Sequence, residues 1–176
     1  MFAFVQKARQ TKNNNIAAVL VDYSRAFDKV DHRLLIEILE KQGLPRYIIL
    51  WINAFLRHRR GRVMVGDTRS CWKNFSAGVP QGSVLGPLLF CFYVNSLAQK
   101  LSENGLDYGF FADDLTLFFE GQDRRKVEQK MNMALDIISN WSQEYYMTVS
   151  AEKTKYVLFS PSASKRGRHS ALNNLE

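Results

Sequence analysis

Three carboxylates stand where the surrounding residues are almost wholly apolar. Asp22 ends the run Ile16-Ala-Ala-Val-Leu-Val21, and Asp113 with Asp114 separates the β-prone stretches Tyr108 to Phe111 and Leu115 to Phe119. Either feature alone is ordinary: an Asp after a strand is usually a turn or cap residue, and an Asp-Asp pair in a hairpin is more often a solvated turn than a site. Brought together by neighbouring strands, they would put three like charges in one place, where they repel unless a cation lies between them. Hard oxygen ligands without His or Cys suit Mg²⁺ or Mn²⁺, and such a cluster can hold two ions about 4 Å apart. The chemistry that wants two such ions is phosphoryl transfer, one activating an attacking hydroxyl and the other steadying the leaving pyrophosphate.

The elements that must hold these residues can be read from pattern. Ile16 to Val21 has the form of a strand buried on both faces. Asp31 is an N-cap for a helix with apolar residues at Leu34, Leu35, Ile38 and Leu39, and Gly43 suits its C′ position. A second helix starts at Pro45 and runs to Leu56, turning Ile48, Trp51, Ile52 and Phe55 to one side. Arg62 to Asp67 reads as half of a small hairpin, and the turn formers of Gly78 to Pro87 precede a buried helix over Leu88 to Leu101 with Pro87 at its first position. The aromatics there would also tolerate a strand; length and Pro87 favour the helix. Ala112-Asp113-Asp114 is a hairpin tip, Val127, Met131, Ala134, Ile138 and Trp141 mark an amphipathic helix, and Tyr156 to Phe159 is a final strand. Strands and helices mixed without strict alternation predict an α+β fold, an antiparallel sheet backed by helices on one face. Residues 161–176 read as a disordered basic tail without apolar period.

Composition narrows the class. At 176 residues the chain is about one domain, and 46% hydrophobic with 23% charged residues is ordinary for a globular protein. The longest apolar stretches fall far short of the ~20 residues a bilayer helix needs, so no membrane is expected as partner. Met1 to Val5 is followed at once by Lys7, Arg9 and Lys12, which predicts an intracellular chain or one whose start is missing. The net charge of +7 is concentrated: Arg57, Arg59, Arg60, Arg62, Arg69 and Lys73 face a single anion, Asp67, in one short segment. Taken alone, that is a solvated basic loop before it is a nucleic-acid groove. Cys71 and Cys91 have no close Cys or His and indicate neither zinc nor a disulfide; they read as a surface or half-buried thiol and a core one.

Three strings of residues carry a resemblance. Asp22-Tyr-Ser-Arg-Ala-Phe27-Asp28-Lys-Val-Asp31-His32 resembles the first palm motif of reverse transcriptases, Gly78-Val-Pro-Gln-Gly-Ser-Val-Leu-Gly-Pro-Leu-Leu-Phe90 the second, and Phe111-Ala-Asp-Asp114 the third. Order and spacing agree, the match covers about Ile16 to Phe159, and it is nearest to the domains of LINE-type (non-LTR) retrotransposons. The resemblance implies a polymerase palm over residues 1–160, with fingers and thumb largely missing. It implies RNA-directed DNA polymerase activity with two Mg²⁺ ions, for which Mn²⁺ can substitute. The implied partners are an RNA template, a DNA primer, deoxynucleoside triphosphates and the rest of a longer retroelement polyprotein. A nuclear location follows from the lifestyle of the family, with no signal in the sequence.

Carried over residue by residue, the resemblance makes Asp22 and Asp113 ligands of both ions, with Asp114 alongside and the Tyr23 carbonyl completing one shell. Phe27 matches the aromatic gate that lies against the incoming sugar and blocks a 2′-hydroxyl; without the family it would be a core residue. Gln81 and Gly82 match the loop that touches the nascent base pair, although Gly78 and Gly82 could simply shape a turn. Lys153 resembles the lysine that protonates the departing pyrophosphate; a solvated surface lysine is the plain alternative, and Lys155 is close enough to compete. Arg57, Arg59, Arg60, Arg62 and Lys73 fall where the family places palm surface near the duplex, and phosphate contacts would account for their charge.

Departures from the family are specific. The basic fingers strands that grip the triphosphate, the strand pair that grips the primer, the thumb and the endonuclease find no match, and Asn95-Ser96-Leu97 stands where Asn-Asp-Leu is common. Two functions of different class therefore stand side by side: a nucleotidyltransferase palm, or a truncated, inactive retroelement remnant that folds and at most binds nucleic acid. A metal nuclease on the same carboxylates gives no role to Phe27 or to Gln81-Gly82.

Overall fold

The β-branched and small residues of Asn15–Val21 form strand β1, the first element of a computed structural model that describes residues 15–159. Chain order then runs through a short 3₁₀ turn (Ala26–Lys29), helices α1 (His32–Lys41) and α2 (Arg46–Leu56), and the two-residue strands β2 (Arg60–Gly61), β3 (Met64–Val65), β4 (Thr68–Arg69) and β5 (Lys73–Asn74). Helix α3 (Leu85–Glu103), strands β6 (Asp107–Phe111) and β7 (Asp114–Gly121), helix α4 (Arg124–Glu144) and strand β8 (Lys155–Phe159) complete it. Within the described residues the chain divides into two compact units, one holding residues 15–24, 97–141 and 149–159, the other 25–96 and 142–148.

The first unit is built on an antiparallel sheet of order β6-β7-β1-β8. Its core face is set by the register: Ala17, Val19 and Val21 of β1 stand opposite Phe119, Leu117 and Leu115 of β7. All six are buried, as are Val127, Ala134, Ile138 and Trp141 of α4. Each fully buried Leu, Val or Phe side chain contributes roughly 1.5–3 kcal/mol of transfer free energy. The period-2 alternation puts Ile16, Ala18 and Leu20 on the other face, where Ile16 is buried but Ala18 and Leu20 are only half-buried. The reading of a strand buried on both sides therefore holds at Ile16 and is corrected at Ala18 and Leu20, where the second face is only partly closed.

The second unit pairs α1 with α2. Asp31 caps α1 by accepting from the Leu34 N–H at 2.9 Å, and Gly43 follows the helix with φ +78°, the left-handed conformation that glycine adopts without a Cβ penalty. The buried face of α2 is Ile49, Ile52 and Leu56. This corrects the expected face by about one residue: Trp51 is exposed and stacks on Phe55, because the apolar run is long enough to offer two stripes and packing selects one.

Helix α3 starts two residues earlier than expected. The Ser83 hydroxyl accepts from the Gly86 N–H at 3.0 Å, so the cap lies upstream of Pro87. Pro87 falls within the first turn, where its missing N–H has no intrahelical partner to lose. The buried stripe of α3 is Leu89, Phe90, Tyr93, Val94, Leu97 and Leu101. Cys91 lies off that stripe and is exposed, as is Cys71; the expectation of a core thiol at Cys91 fails because a mostly apolar helix still has an outer face. No described helix is long and apolar enough to cross a membrane. The tail expected beyond residue 160 lies outside the described residues.

Candidate active site

In the first unit the register fixes two of the three acids. Val21 pairs with Leu115, so the residue that follows β1, Asp22, falls beside Asp114, the first residue of β7. Strands β6 and β7 close through a two-residue turn, Phe111 pairing with Asp114 across Ala112 and Asp113. Ala112 takes φ +53°, the left-handed region that two-residue hairpin turns require at their first central position. Asp22 and Asp114 line one cleft of about 650 Å³ together with Lys153, Lys155 and the aromatic rings of Phe110 and Phe111. Asp113 sits in the turn itself and is not among the residues lining the cleft.

Main-chain bonds position Lys153. Ser150 N–H donates to the Asp22 carbonyl at 2.8 Å, Thr154 N–H to the Ser150 carbonyl at 2.9 Å, and Tyr23 bridges to Val149. The segment carrying Lys153 is thereby tied to the end of β1, and Lys153 Nζ lies 3.6 Å from Asp22 Oδ1. That separation gives a Coulombic attraction but no hydrogen bond. Asp22 Oδ1 is buried and has no hydrogen-bond partner. The Tyr23 side chain is a core residue, edge-on to Trp141 at 6.0 Å between centroids, so only its main chain is available for the role that the resemblance gives it.

The donor set suits a hard divalent ion in kind. Asp22, one of whose oxygens has no hydrogen-bond partner, lines a cleft with a second carboxylate, and ions of the Mg²⁺ type are held by one or two carboxylates with water and substrate phosphate supplying the rest. It is not a closed protein cage: among the described residues no group of three or more His, Cys, Asp or Glu side chains converges tightly enough for a metal.

The second unit brings Phe27, Gln81 and Gly82 together. Val79 N–H donates to the Phe27 carbonyl at 2.9 Å and Gly78 N–H to the Val30 carbonyl at 2.8 Å, docking residues 78–82 on the 3₁₀ turn. Gln81 Nε2 donates to Asp28 Oδ1 at 3.1 Å, and the Phe27 ring stacks on Phe90 with centroids 4.5 Å apart. Gly78 has φ +86°, and a Cβ there would stand 2.8 Å from the Asp28 carbonyl oxygen; no other residue type fits. Its carbonyl accepts from His32 Nε2 at 2.8 Å and Arg59 at 3.3 Å. Asp28 and His32 thus hold the loop and Phe90 backs the Phe27 ring; none was singled out by sequence reasoning, although all three lie inside the motif strings. Of the basic candidates, Arg59 is half-buried against this loop, while Arg57, Arg60, Arg62 and Lys73 are exposed.

Comparison with known proteins decides the family. A sequence model described as "Reverse transcriptase (RNA-dependent DNA polymerase)" matches residues 2–171. The chain belongs to the reverse transcriptase family. It is 28% identical over 176 residues to the RNA-directed DNA polymerase from mobile element jockey of Drosophila melanogaster, an alignment covering 94% of this chain and 19% of that protein. A Pol polyprotein from the type-1 retrotransposable element R2 of Nasonia vitripennis is 29% identical over 175 residues, 93% of this chain and 16% of its own length. The chain therefore spans less than a fifth of these curated relatives, and they mark it as a LINE-type (non-LTR) reverse transcriptase domain. Apo telomerase from Candida tropicalis, truncated from its C-terminal domain, superposes with a TM-score of 0.64 at 18% identity over 96% of this chain and 35% of that one. The shared fold is that of a partial polymerase palm. Reverse transcriptases generally use divalent metal ions.

Proposed function

We propose that this reverse transcriptase domain performs RNA-templated nucleotidyl transfer, extending a primer 3′-hydroxyl with deoxynucleoside triphosphates as part of a longer retroelement polyprotein. The observation that carries the reading is the cleft lined by Asp22, Asp114 and Lys153, with a buried oxygen on Asp22 that has no hydrogen-bond partner. Asp22, Asp113 and Asp114, with the Tyr23 carbonyl, would hold two Mg²⁺ or Mn²⁺ ions. Bound there, such ions supply Lewis acidity to the hydroxyl and charge neutralisation at the triphosphate. In the transfer the primer hydroxyl gives its proton to water, its oxygen bonds to the α-phosphorus, the bond from that phosphorus to the bridging oxygen breaks, and pyrophosphate leaves. Lys153, poised by its attraction to Asp22, gives its proton to the departing pyrophosphate.

The family resemblance supports the remaining roles. Phe27, backed by Phe90, is stiff enough to reject a 2′-hydroxyl by steric contact, and Gln81 with Gly82 presents main chain to the nascent base pair. The exposed cations Arg57, Arg60, Arg62 and Lys73, with Arg59, face phosphates and position nucleic acid without reading bases. The place of action consistent with this lifestyle is inside the cell, in the nucleus.

Primer extension on an RNA template by the longer protein containing this chain tests the proposal. Extension should require Mg²⁺ or Mn²⁺ and fall by about 10³-fold or more in Asp22→Ala or Asp113→Ala, as loss of several kcal/mol of charge stabilisation demands. Undiminished extension by either variant overturns the assignment. Nucleic-acid binding without any extension by the unsubstituted protein would favour the inactive remnant.

A further inference from the structure

Residues 60–74 form an arm in the second unit. The pairs Arg60 with Asn74 and Gly61 with Lys73 make its stem, and Met64 with Arg69 and Val65 with Thr68 its tip. From Arg62 to Ser76 every residue is exposed, so the arm has no apolar core to orient its side chains. Two of its cations gather at one ring: the guanidinium of Arg60 lies 5.0 Å, and that of Arg62 4.6 Å, from the centroid of Trp72.

The stem brings both within reach: Arg60 and Gly61 pair with Asn74 and Lys73, the residues that follow Trp72, and Arg62 comes directly after Gly61. Both distances lie within the range of a cation–π attraction. Among the described residues neither arginine has a carboxylate partner, and Asp67 is the one acid between Arg57 and Lys73. A guanidinium lying over an aromatic face still has N–H donors that point away from the ring, and those can grip a phosphate in a bidentate pair.

We infer that Trp72 is a positioning residue that holds Arg60 and Arg62 as a paired clamp for adjacent phosphates of a nucleic-acid strand. The inference rests on reading the basic segment as a nucleic-acid surface, and adds to it a named device. An unstacked arginine must give up rotamer freedom to engage a phosphate, whereas these two are ordered beforehand. The occupant is a polyanionic backbone because two unpaired planar cations on an exposed arm complement nothing else so well. A base stacked on the indole would have to displace them.

The test is binding of the full 176-residue chain to a fluorescein-labelled oligouridine, followed by anisotropy across a KCl titration. Arg60→Gln with Arg62→Gln should lower the slope of log affinity against log salt by about 0.7 per lost contact. Trp72→Ala should weaken binding roughly three- to tenfold, and should have no further effect in the double-glutamine background, since the ring acts through the arginines. Trp72→Phe, which keeps an aromatic face, should restore most of the affinity. Wild-type binding by Trp72→Ala overturns the inference. So does a full additional loss when Trp72→Ala is added to the double variant, which would make the ring an independent base-stacking platform. A variant with Arg57, Arg60, Arg62 and Lys73 all changed to Gln separates the two levels. Unchanged affinity and slope there would remove the segment from the nucleic-acid surface altogether, whereas a reduced slope with a silent Trp72→Ala would remove the ring alone.

Discussion

Asp22 is held in a state that costs stability. Its Oδ1 is buried without a donor, and the nearest cation, Lys153 Nζ, stops at 3.6 Å. An unsatisfied buried polar atom of this kind costs about 1–3 kcal/mol, more if charged. Asp22→Asn removes the charge at constant shape, so in metal-free solution it should raise the unfolding free energy by about 1 kcal/mol; urea titration reads the midpoint. An equal or lower midpoint would show that Lys153 already satisfies the carboxylate. The acids were legible as residues because apolar runs lead into both features and the strings around them resemble palm motifs. Two details were not. That Asp113 occupies the turn while Asp114 lines the cleft depends on where the hairpin closes, and pattern alone does not resolve a two-residue turn from a three-residue one. The ties from Asp28 and His32 to the glycine loop join residues about 50 positions apart, which only the folded chain brings within reach.

Elements place these residues, and the loop 78–82 shows how narrowly. Gly78 and Gly82 both take positive φ, but a Cβ at Gly78 would meet the Asp28 main chain, whereas at Gly82 nothing lies within 4 Å. Gly82→Ala should therefore cost only the left-handed penalty, about 1–2 kcal/mol. Gly78→Ala should cost more and detach the loop from the 3₁₀ turn. Equal losses in thermal unfolding would contradict the contact. Tyr93 of α3 gives a pH dependence. Burial pushes its phenol well above the usual tyrosine value, while its hydroxyl donates to the Tyr145 carbonyl at 2.7 Å. A raised folded-state value means the neutral phenol is preferred; its contribution is complete below about pH 10 and is lost as pH rises above that toward the folded value. Tyr93→Phe should be less stable at neutral pH by about 1 kcal/mol and show a smaller loss between neutral and alkaline solution; a parallel loss in both proteins would assign the alkaline sensitivity elsewhere. The helices and strands themselves were readable because caps, glycines and periodicity agree along most of the chain. The misjudged faces of α2 and α3 share a cause: in a uniformly apolar run, periodicity cannot say which side packing will choose.

Across the whole molecule, stability rests on one-sided burial. Leu117 is fully buried at the centre of the sheet between Val19 and Tyr108, while Val157 of β8 is exposed on the opposite face. Leu117→Ala should cost about 3 kcal/mol of unfolding free energy, and Val157→Thr less than about 0.5 kcal/mol. Comparable losses in chemical denaturation would mean that the open face is covered. The charge excess belongs to this scale too: net charge was legible from composition, but the exposed arm that carries so much of it became visible only with its hairpin register. The account depends most on the cleft where β1 ends beside β7, and divalent-ion binding reports on it without any need for turnover. Electron paramagnetic resonance of Mn²⁺ titrated with the folded chain should show bound ion that disappears in Asp22→Ala and in Asp114→Ala, each with its fold verified by circular dichroism. Undiminished Mn²⁺ binding in both variants would contradict a metal site built on these carboxylates.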